Sequence, residues 1–377
     1  METTMLKTAL TDLLGIKHPI IQAGMGPFSN NQLSIATTNA GVLGLISTSG
    51  LDGDEKNPGN VYKYFVKTGG ASLEDDKATV LAKTLKQTCD KSKGSGGIFG
   101  INVMVSAEQL DFADFIISNA IKARDEDPDM KDRFRVIFTS AGDPSGWGDK
   151  IKGAGFKWIH IVPSVKTALR CKKAGVDVVV ASGHEGGMHT HWEPIHSMIL
   201  LPAVVEALAG SGIPVVGAGG FCDGKTLAAA LALGASGVQM GTRFLATAES
   251  DFAPVWKEGI VKAGDRGTLV ARGFVGPARW IKTPKTLKHQ EETLKLSPGV
   301  FLGRPDDSES EGAKQLMQNE SAGFEAAFRG DAENSMFAGG ECAQRIDSLP
   351  LVQELVDGIV KESTEIIGGL PTRVIAN

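Results

Sequence analysis

Cysteine is scarce in this chain, with four residues in 377 and no C-x-x-C pair among them. Cys89, Cys171, Cys222 and Cys342 lie far apart, which excludes a disulfide framework and a zinc knuckle and predicts four buried or half-buried thiols. Long apolar runs are also missing. None approaches the roughly 18 residues needed to span a bilayer, and the most apolar stretch, MILLPAVVEAL, is interrupted by Pro202 and Glu206. The start, METTMLKTAL, carries too few apolar residues for a secretory leader, so a soluble, cytoplasmic protein with no membrane partner is expected. A basic excess is lacking too: 39 Lys and Arg against 44 Asp and Glu, with the signs interspersed, give a net charge of −5 and offer no nucleic-acid surface.

Glycine, by contrast, is plentiful, at 47 residues against 16 prolines, which indicates many tight turns rather than disorder. Eight short apolar runs alternate with longer amphipathic ones. They are Pro19–Gln22, Val42–Ile46, Ile98–Val103, Phe134–Thr139, Trp158–Val162, Val176–Ala181, Ile213–Gly217 and Gly237–Met240. Most are near-continuous in Val and Ile, as parallel strands covered on both faces should be. Helical patterns such as NNQLSIATTNA, VKTALRCKKAG and DGKTLAAALALG fall between them, and eight strand-then-helix units predict an α/β fold, a closed (β/α)8 TIM barrel.

Two stretches depart from the repeat. Residues 51–96 are polar, with a helix-like segment near Asp75–Gln87, and read as a long loop at the mouth of the second strand. Residues 265–340 have too few apolar groups for barrel strands and read as a helical cap inserted after the eighth strand, with Leu349–Glu362 returning as a closing helix. The expected organisation is a barrel over 1–263, a cap over 264–340 and a C-terminal helix over 341–377.

Residues 213–243 run strand, glycine turn, helix, strand, glycine turn, so two glycine-bearing strand ends lie side by side. Backbone N–H groups converge at such turns and suit a phosphate monoester at a helix N-terminus, to which Lys225 can add charge. Gly219, Gly224, Lys225 and Thr226 also satisfy G-x-x-x-x-G-K-[ST]. A nucleotide triphosphatase, however, needs a second apolar strand ending in Asp for its magnesium, and the candidates end VVVAS, GVQMG and VIFTS. A dinucleotide fingerprint fails on spacing, since Gly217, Gly219 and Gly220 read G-x-G-G with no acidic residue about 20 positions on.

In a barrel the chemistry collects at the C-terminal strand ends. QAGMGPFSN, Gln22 to Asn30, follows the first strand, and its Ala23, Gly24 and Met25 let a flat ring approach the main chain. Asn102, among apolar neighbours on the third strand, can bond the edge of a heterocycle or sit as a satisfied core amide. The sixth strand delivers Ser182-Gly183-His184-Glu185-Gly186-Gly187-Met188-His189-Thr190-His191. As H-E-x-x-H this would be a zinc site, but the second His would have to stand at 188, where Met188 is found, and the glycines would break the helix such a site requires. No metal is therefore expected. Proton transfer by His189 or His184 suits the cluster better than metal binding by His184, His189 and His191.

With HPIIQAGMG, GINV, the strand-six glycine pair, VVGAGGFCDG and GVQMGTRF in order, the chain resembles the nitronate monooxygenase (2-nitropropane dioxygenase) family. That family is similar to the flavin-type enoyl-acyl-carrier-protein reductases and includes NADH:quinone reductases. The resemblance covers about residues 5–250 and returns weakly at Met336–Gly358. It implies a barrel holding FMN non-covalently, its ring near Ala23, Gly24, Met25 and Asn102. The phosphate would lie at Gly187, Gly219, Gly220, Gly241 and Thr242, with Gln239 and Met240 just before them. Family members commonly read V-A-Q-G-x-E-A-G-G-H on strand six, the last His handling the proton. Laid on without a gap, Ser182 stands for the Gln against the flavin, Met188 for the second Gly, and His189 for the base. Aligning the glycine pairs instead puts Met188 at the base position.

The implied activity is an FMN-dependent oxidoreductase that oxidises a nitronate with dioxygen. Its alternative is an NAD(P)H-dependent reductase of an enoyl thioester, enone or quinone. A flavin or phosphate-ligand binding protein without catalysis is the non-enzyme alternative. The expected partner is a small-molecule substrate, with room for a homo-oligomer.

Overall fold

The computed structural model describes residues 6–26, 30–53 and 62–374. Pro27, Phe28 and Ser29 of the first glycine loop, and part of the 51–96 stretch, lie outside the described residues. Strands form at all eight apolar runs: β1 (Ile20–Gln22), β2 (Gly44–Ser47), β3 (Phe99–Met104), β4 (Phe134–Ser140), β5 (Lys157–Val162), β6 (Val178–Ser182), β8 (Val215–Ala218) and β9 (Gly237–Met240). A two-residue strand, β7 (Met188–His189), belongs to a separate sheet. The eight pair in parallel in the order β1-β9-β8-β6-β5-β4-β3-β2, and a bridge from Ile21 to Leu43 joins the two ends into a (β/α)8 barrel.

That seam is short, and a side chain completes it. Gln22 is fully buried; its Oε1 accepts from the Leu45 amide at 2.9 Å and its Nε2 donates to the Leu45 carbonyl at 3.2 Å. Beside it the Gln22 amide donates to Leu43 at 2.9 Å and the Leu43 amide to Ile20 at 3.1 Å.

Alternation along each strand divides the core. Ile21, Leu45, Val136, Phe138, Val180 and Val216 cluster inside the barrel with Leu10 and Leu14 of the helix Ala9–Leu14. Their neighbours Ile20, Ile46, Ile101, Ile137, Val179 and Val238 pack outward with the helices. Burial on both faces is why the runs carry almost no polar residues.

The 51–96 stretch is more regular than its composition suggests. Helix Lys77–Lys91 begins at Asp76, whose side chain accepts from the Thr79 amide, and it buries Val80, Leu81, Leu85 and Cys89. It is the second barrel helix, and a further helix, Tyr62–Thr68, precedes it.

The cap contains the helices Pro284–Leu296, Gly299–Leu302 and Glu311–Phe328, and also an antiparallel hairpin of β10 (Thr268–Gly273) and β11 (Gly276–Ile281). β7 pairs with β11, so the loop after β6 is woven into the cap sheet. A second apolar core holds this part, with Trp256 stacked on Phe324 at 5.4 Å and Trp280 close by. Helix Val352–Val374 returns to helix Gly224–Ala232, where Glu362 pairs with Lys225 at 3.0 Å. No helix among the described residues is long and apolar enough to cross a membrane.

Replacing Gln22 with Leu strips two buried main-chain groups of Leu45 of their partners, which should lower stability by about 3 kcal/mol in urea denaturation. A loss below about 1 kcal/mol would mean that the seam does not depend on this side chain.

Candidate active site

The end of β1 is set by close approach of main chain to neighbouring strands. A Cβ on Gly24 would stand 2.4 Å from Asn102 Cβ, so only glycine fits there. The side-chain amide of Asn102, on β3, bonds to no group among the described residues, while its main-chain carbonyl accepts from the Thr48 amide and hydroxyl. A Cβ on Gly241, just after β9, would meet Met25 Sδ at 3.3 Å and Ala23 Cβ at 3.5 Å. Ala23, Gly24, Met25, Asn102 and Gly241 therefore converge from three strands on one place. The Ala23 amide is held by the Met240 carbonyl at 3.0 Å, and the Met25 amide by Asn30 Oδ1 at 2.5 Å. Gln239 and Met240 are buried on β9.

A second convergence is built almost wholly of glycine. Gly219 and Gly220 follow β8 in the left-handed region, with φ of 85° and 86°. A Cβ on Gly219 would lie 2.5 Å from the Gly183 carbonyl, and one on Gly187 would lie 2.6 Å from the Gly340 nitrogen. Thr242 Oγ1 accepts from the Gly340 amide at 2.9 Å, and the Glu341 amide donates to the Glu185 carbonyl at 2.9 Å. The amides of Gly220, Gly241 and Thr242 donate to no acceptor among the described residues. Ser182 closes this side at the end of β6, half-buried, its Oγ 3.8 Å from where a Gly186 Cβ would be.

The helix that follows, Gly224–Ala232, has two of its N-terminal amides taken by carboxylates of the chain. Asp223 caps it by accepting from the Thr226 amide at 2.9 Å, and Glu362 accepts from the Gly224 amide at 2.8 Å. Two carboxylates of the chain already answer the positive end of that helix, and Lys225 faces Glu362. Thr226, last residue of the triphosphatase-like spacing, spends its hydroxyl on the cap, taking the Cys222 and Asp223 amides.

The strand-six histidines go to separate places. His189 sits on β7 opposite Ala278, and its Nε2 accepts from the Val275 amide in the hairpin turn at 3.4 Å. Burial, and next the Arg272 guanidinium, lower its pKa to about 4. Met188, beside it, takes φ 61°, a conformation that favours glycine. His184 hands its carbonyl to Arg279, at 3.0 and 3.3 Å, while its Nδ1 is buried with no partner among the described residues. Burial, then Arg279, bring His184 to about 4 as well. Both rings are neutral at neutral pH. His191 is exposed and takes the Glu193 amide at 3.2 Å. Glu185 caps helix Ser197–Ala207 through the Ser197 amide and hydroxyl, at 3.0 and 2.7 Å.

The family model described as nitronate monooxygenase matches residues 7–362. The chain belongs to the nitronate monooxygenase family. Among curated relatives it is 29% identical over 386 residues, 95% of this chain and 96% of the other, to the (3aS,4S,5R,7aS)-5-hydroxy-7a-methyl-1-oxo-octahydro-1H-indene-4-carboxyl-CoA dehydrogenase of Mycobacterium tuberculosis. It is 27% identical to a probable nitronate monooxygenase of Staphylococcus saprophyticus, over 96% of this chain and 99% of that one. Among solved structures it is similar to FabK from Thermotoga maritima, with a TM-score of 0.72 and 30% identity over 98% of this chain and 100% of the other. Family and fold together make this nitronate monooxygenase family member a flavin-dependent oxidoreductase.

Its glycine convergence suits such a cofactor, since main chain lies where side chains would otherwise stand. Several groups around it were not foreseen. Gly339 and Gly340 complete the cradle from the far end of the chain, and the only sequence hint was the G-G pair in the weakly matching 336–358 segment. Arg272 and Arg279, on the unforeseen hairpin, are buried; Arg272 pairs with Asp306 at 2.7 Å and Arg279 with Glu341 at 3.0 Å. Glu320 lies beneath the same hairpin, bonded to the Phe274 amide, with Oε2 buried and unpartnered among the described residues.

Burial pushes the Glu320 carboxyl up from 4.5 to about 8. The folded chain therefore binds this proton more tightly than the unfolded one, and the stability it confers is full below about 4.5 and lost as pH rises through about 8. Glu320→Gln should flatten that part of the pH dependence of the thermal midpoint; an unchanged slope would place the charge in water.

Proposed function

We propose that this protein is an FMN- and NAD(P)H-dependent oxidoreductase acting on the unsaturated acyl part of a thioester, with a nitronate as the second reading. The observation that carries the substrate class is likeness over nearly the full length: the mycobacterial relative is named as a carboxyl-CoA dehydrogenase at 29% identity, and FabK matches at 30%. The probable nitronate monooxygenase of Staphylococcus saprophyticus, at 27%, keeps the nitronate reading in view. Ser182 and Met188, which depart from the family's usual Gln and Gly, weigh against the family's usual substrate.

Bound across the strand ends, FMN would supply two-electron chemistry that no side chain offers. Gly24 lets Asn102 come close beside the ring, Ala23 and Met25 border it, and Asn102 presents a side-chain amide without another partner among the described residues. The amides of Gly220, Gly241 and Thr242, unpaired among the described residues, suit the phosphate, with Gly187 and Gly219 bringing main chain close, and Gln239 and Met240 underlying them from β9.

His189 accepts at Nε2 from the Val275 amide, so its neutral ring carries the proton on Nδ1 and offers it from there. The left-handed φ of Met188 supports the gapless alignment, which sets this methionine at a family glycine and His189 at the proton-handling position. His184, neutral with a bare Nδ1, is the reserve candidate. The cap sheet, tied to β7, gives a bulky acyl group a wall on the side of His189.

Anaerobic mixing tests the assignment: NADH or NADPH should bleach the yellow protein rapidly and an enoyl-CoA restore its colour. Oxygen uptake with a nitronate, without bleaching by either nucleotide, would overturn the thioester reading. His189→Ala should lower turnover by about 10²-fold or more without releasing FMN; unchanged turnover would pass the role to His184. Gly241→Ala meets only ordinary or slightly tight contacts at an unstrained φ of −105°, so the fold should survive while FMN affinity drops about tenfold. Unaltered FMN affinity would move the cofactor away from β9.

A further inference from the structure

The turn that meets His189 is not held by its own residues. Gly273 pairs with Gly276, so only Phe274 and Val275 join β10 to β11. A two-residue loop matches the twist of its strands in the primed turns, which need a positive φ at the first central residue. Neither Phe274 nor Val275 takes one. Both side chains are exposed, so packing does not fix the turn either, and β10 is an edge strand of the cap sheet.

A buried ion pair does what the turn residues cannot. Arg272 donates from Nε to Asp306 Oδ2 at 2.7 Å, while its Nη1 reaches forward to the main-chain carbonyls of Gly273 and, at 3.3 Å, Phe274. One planar fork therefore ties two consecutive carbonyls of the turn to a carboxylate 34 residues further on. Asp306 also accepts from the Ser297 hydroxyl, at the end of helix Pro284–Leu296. That helix steadies Arg272 itself: His289 Nε2 donates to the Arg272 carbonyl at 2.7 Å, and Thr293 Oγ1 accepts from the Arg272 amide at 3.2 Å. Glu320 closes the turn from below, its Oε2 3.5 Å from where a Cβ on Gly273 would stand.

A trans peptide is planar, with its C=O and N–H on opposite sides. In the peptide between Phe274 and Val275, Arg272 holds the carbonyl on one side, and the amide on the other meets His189 Nε2 at 3.4 Å. We infer that Arg272 and Asp306 are positioning residues: by gripping this one peptide they aim the Val275 N–H at His189, reserve Nε2 as its acceptor and leave the ring proton on Nδ1. Both act through the turn and not on a substrate. The bearing on catalysis rests on the proposed role of His189; the aim of the peptide does not.

Ring-nitrogen NMR of the full-length chain labelled with 15N-histidine is the test, the His189 signals being assigned by their loss in His189→Gln. The unaltered protein should show one tautomer, protonated on Nδ1. Arg272→Met combined with Asp306→Leu removes the grip without leaving a buried charge unpaired, so the fold should survive while the His189 signals become a mixture of both tautomers. Arg272→Lys keeps the charge but lacks the planar fork and should give the same mixture; it decides the matter should the double variant fail to fold. In either variant kcat should fall roughly tenfold with KM little changed, the split expected when proton delivery and not binding is disturbed. A single Nδ1-protonated tautomer in the folded variants, or a proton on Nε2 in the unaltered chain, would overturn the inference and leave the role of His189 to its own test. Mixed tautomers in the variants beside full turnover in His189→Ala would uphold the positioning and remove His189 from the chemistry.

Discussion

Closure of the barrel at β1 is the constraint on which the remaining structure rests. β1 is three residues long, yet it must hold β9 on one side and β2 on the other. Its bonds to β9 follow a regular ladder, but on the β2 side a single bridge is extended by the buried amide of Gln22. That amide makes the bonds a longer strand would have made with its own main chain, in a place water cannot reach. Once the ring is closed there, Gly24 must come against Asn102 from β3 and Gly241 against Ala23 and Met25. The shape of the candidate ring site is a consequence of closing the sheet.

The same logic of enforced contact explains the glycine cradle. Gly183, Gly187, Gly219 and Gly340 approach so closely that a methyl group on the last three would overlap the main chain of a neighbouring segment. They lie on three segments, the loops after β6 and β8 and the end of the cap, so the cradle exists only when the cap is folded back. Polar groups left at that junction are answered from within: Glu185, Asp223 and Glu362 cap helices, and Arg279 joins the strand-six loop to Glu341. What stays unanswered among the described residues is a small set of amides after β8 and β9, which is where an anionic cofactor tail would gain most.

Much of this was legible beforehand. The strands were visible because burial on both faces demands apolar residues in unbroken runs, and helices such as Val165–Ala174 and Gly224–Ala232 because Ser164, Asp223 and Gly175 mark their ends. The hairpin Thr268–Ile281 was not, since its alternation is interrupted by the buried charges Arg272 and Arg279, whose partners Asp306 and Glu341 lie far along the chain. Helix Lys77–Lys91 was half seen, its polar face outweighing an apolar stripe that covers the barrel. His189 was visible as a residue type, but nothing local announced that Val275 would bond its Nε2.

The sequence by itself determined the barrel, the glycine turns after β8 and β9 and the family, because these depend on local periodicity and on residue types that tolerate close main-chain approach. Only the tertiary structure decided that Glu362 takes the Gly224 amide and that Gly339 and Gly340 finish the cradle. Those facts join positions more than a hundred residues apart, and such contacts are fixed by the packing of whole elements, which no local pattern records.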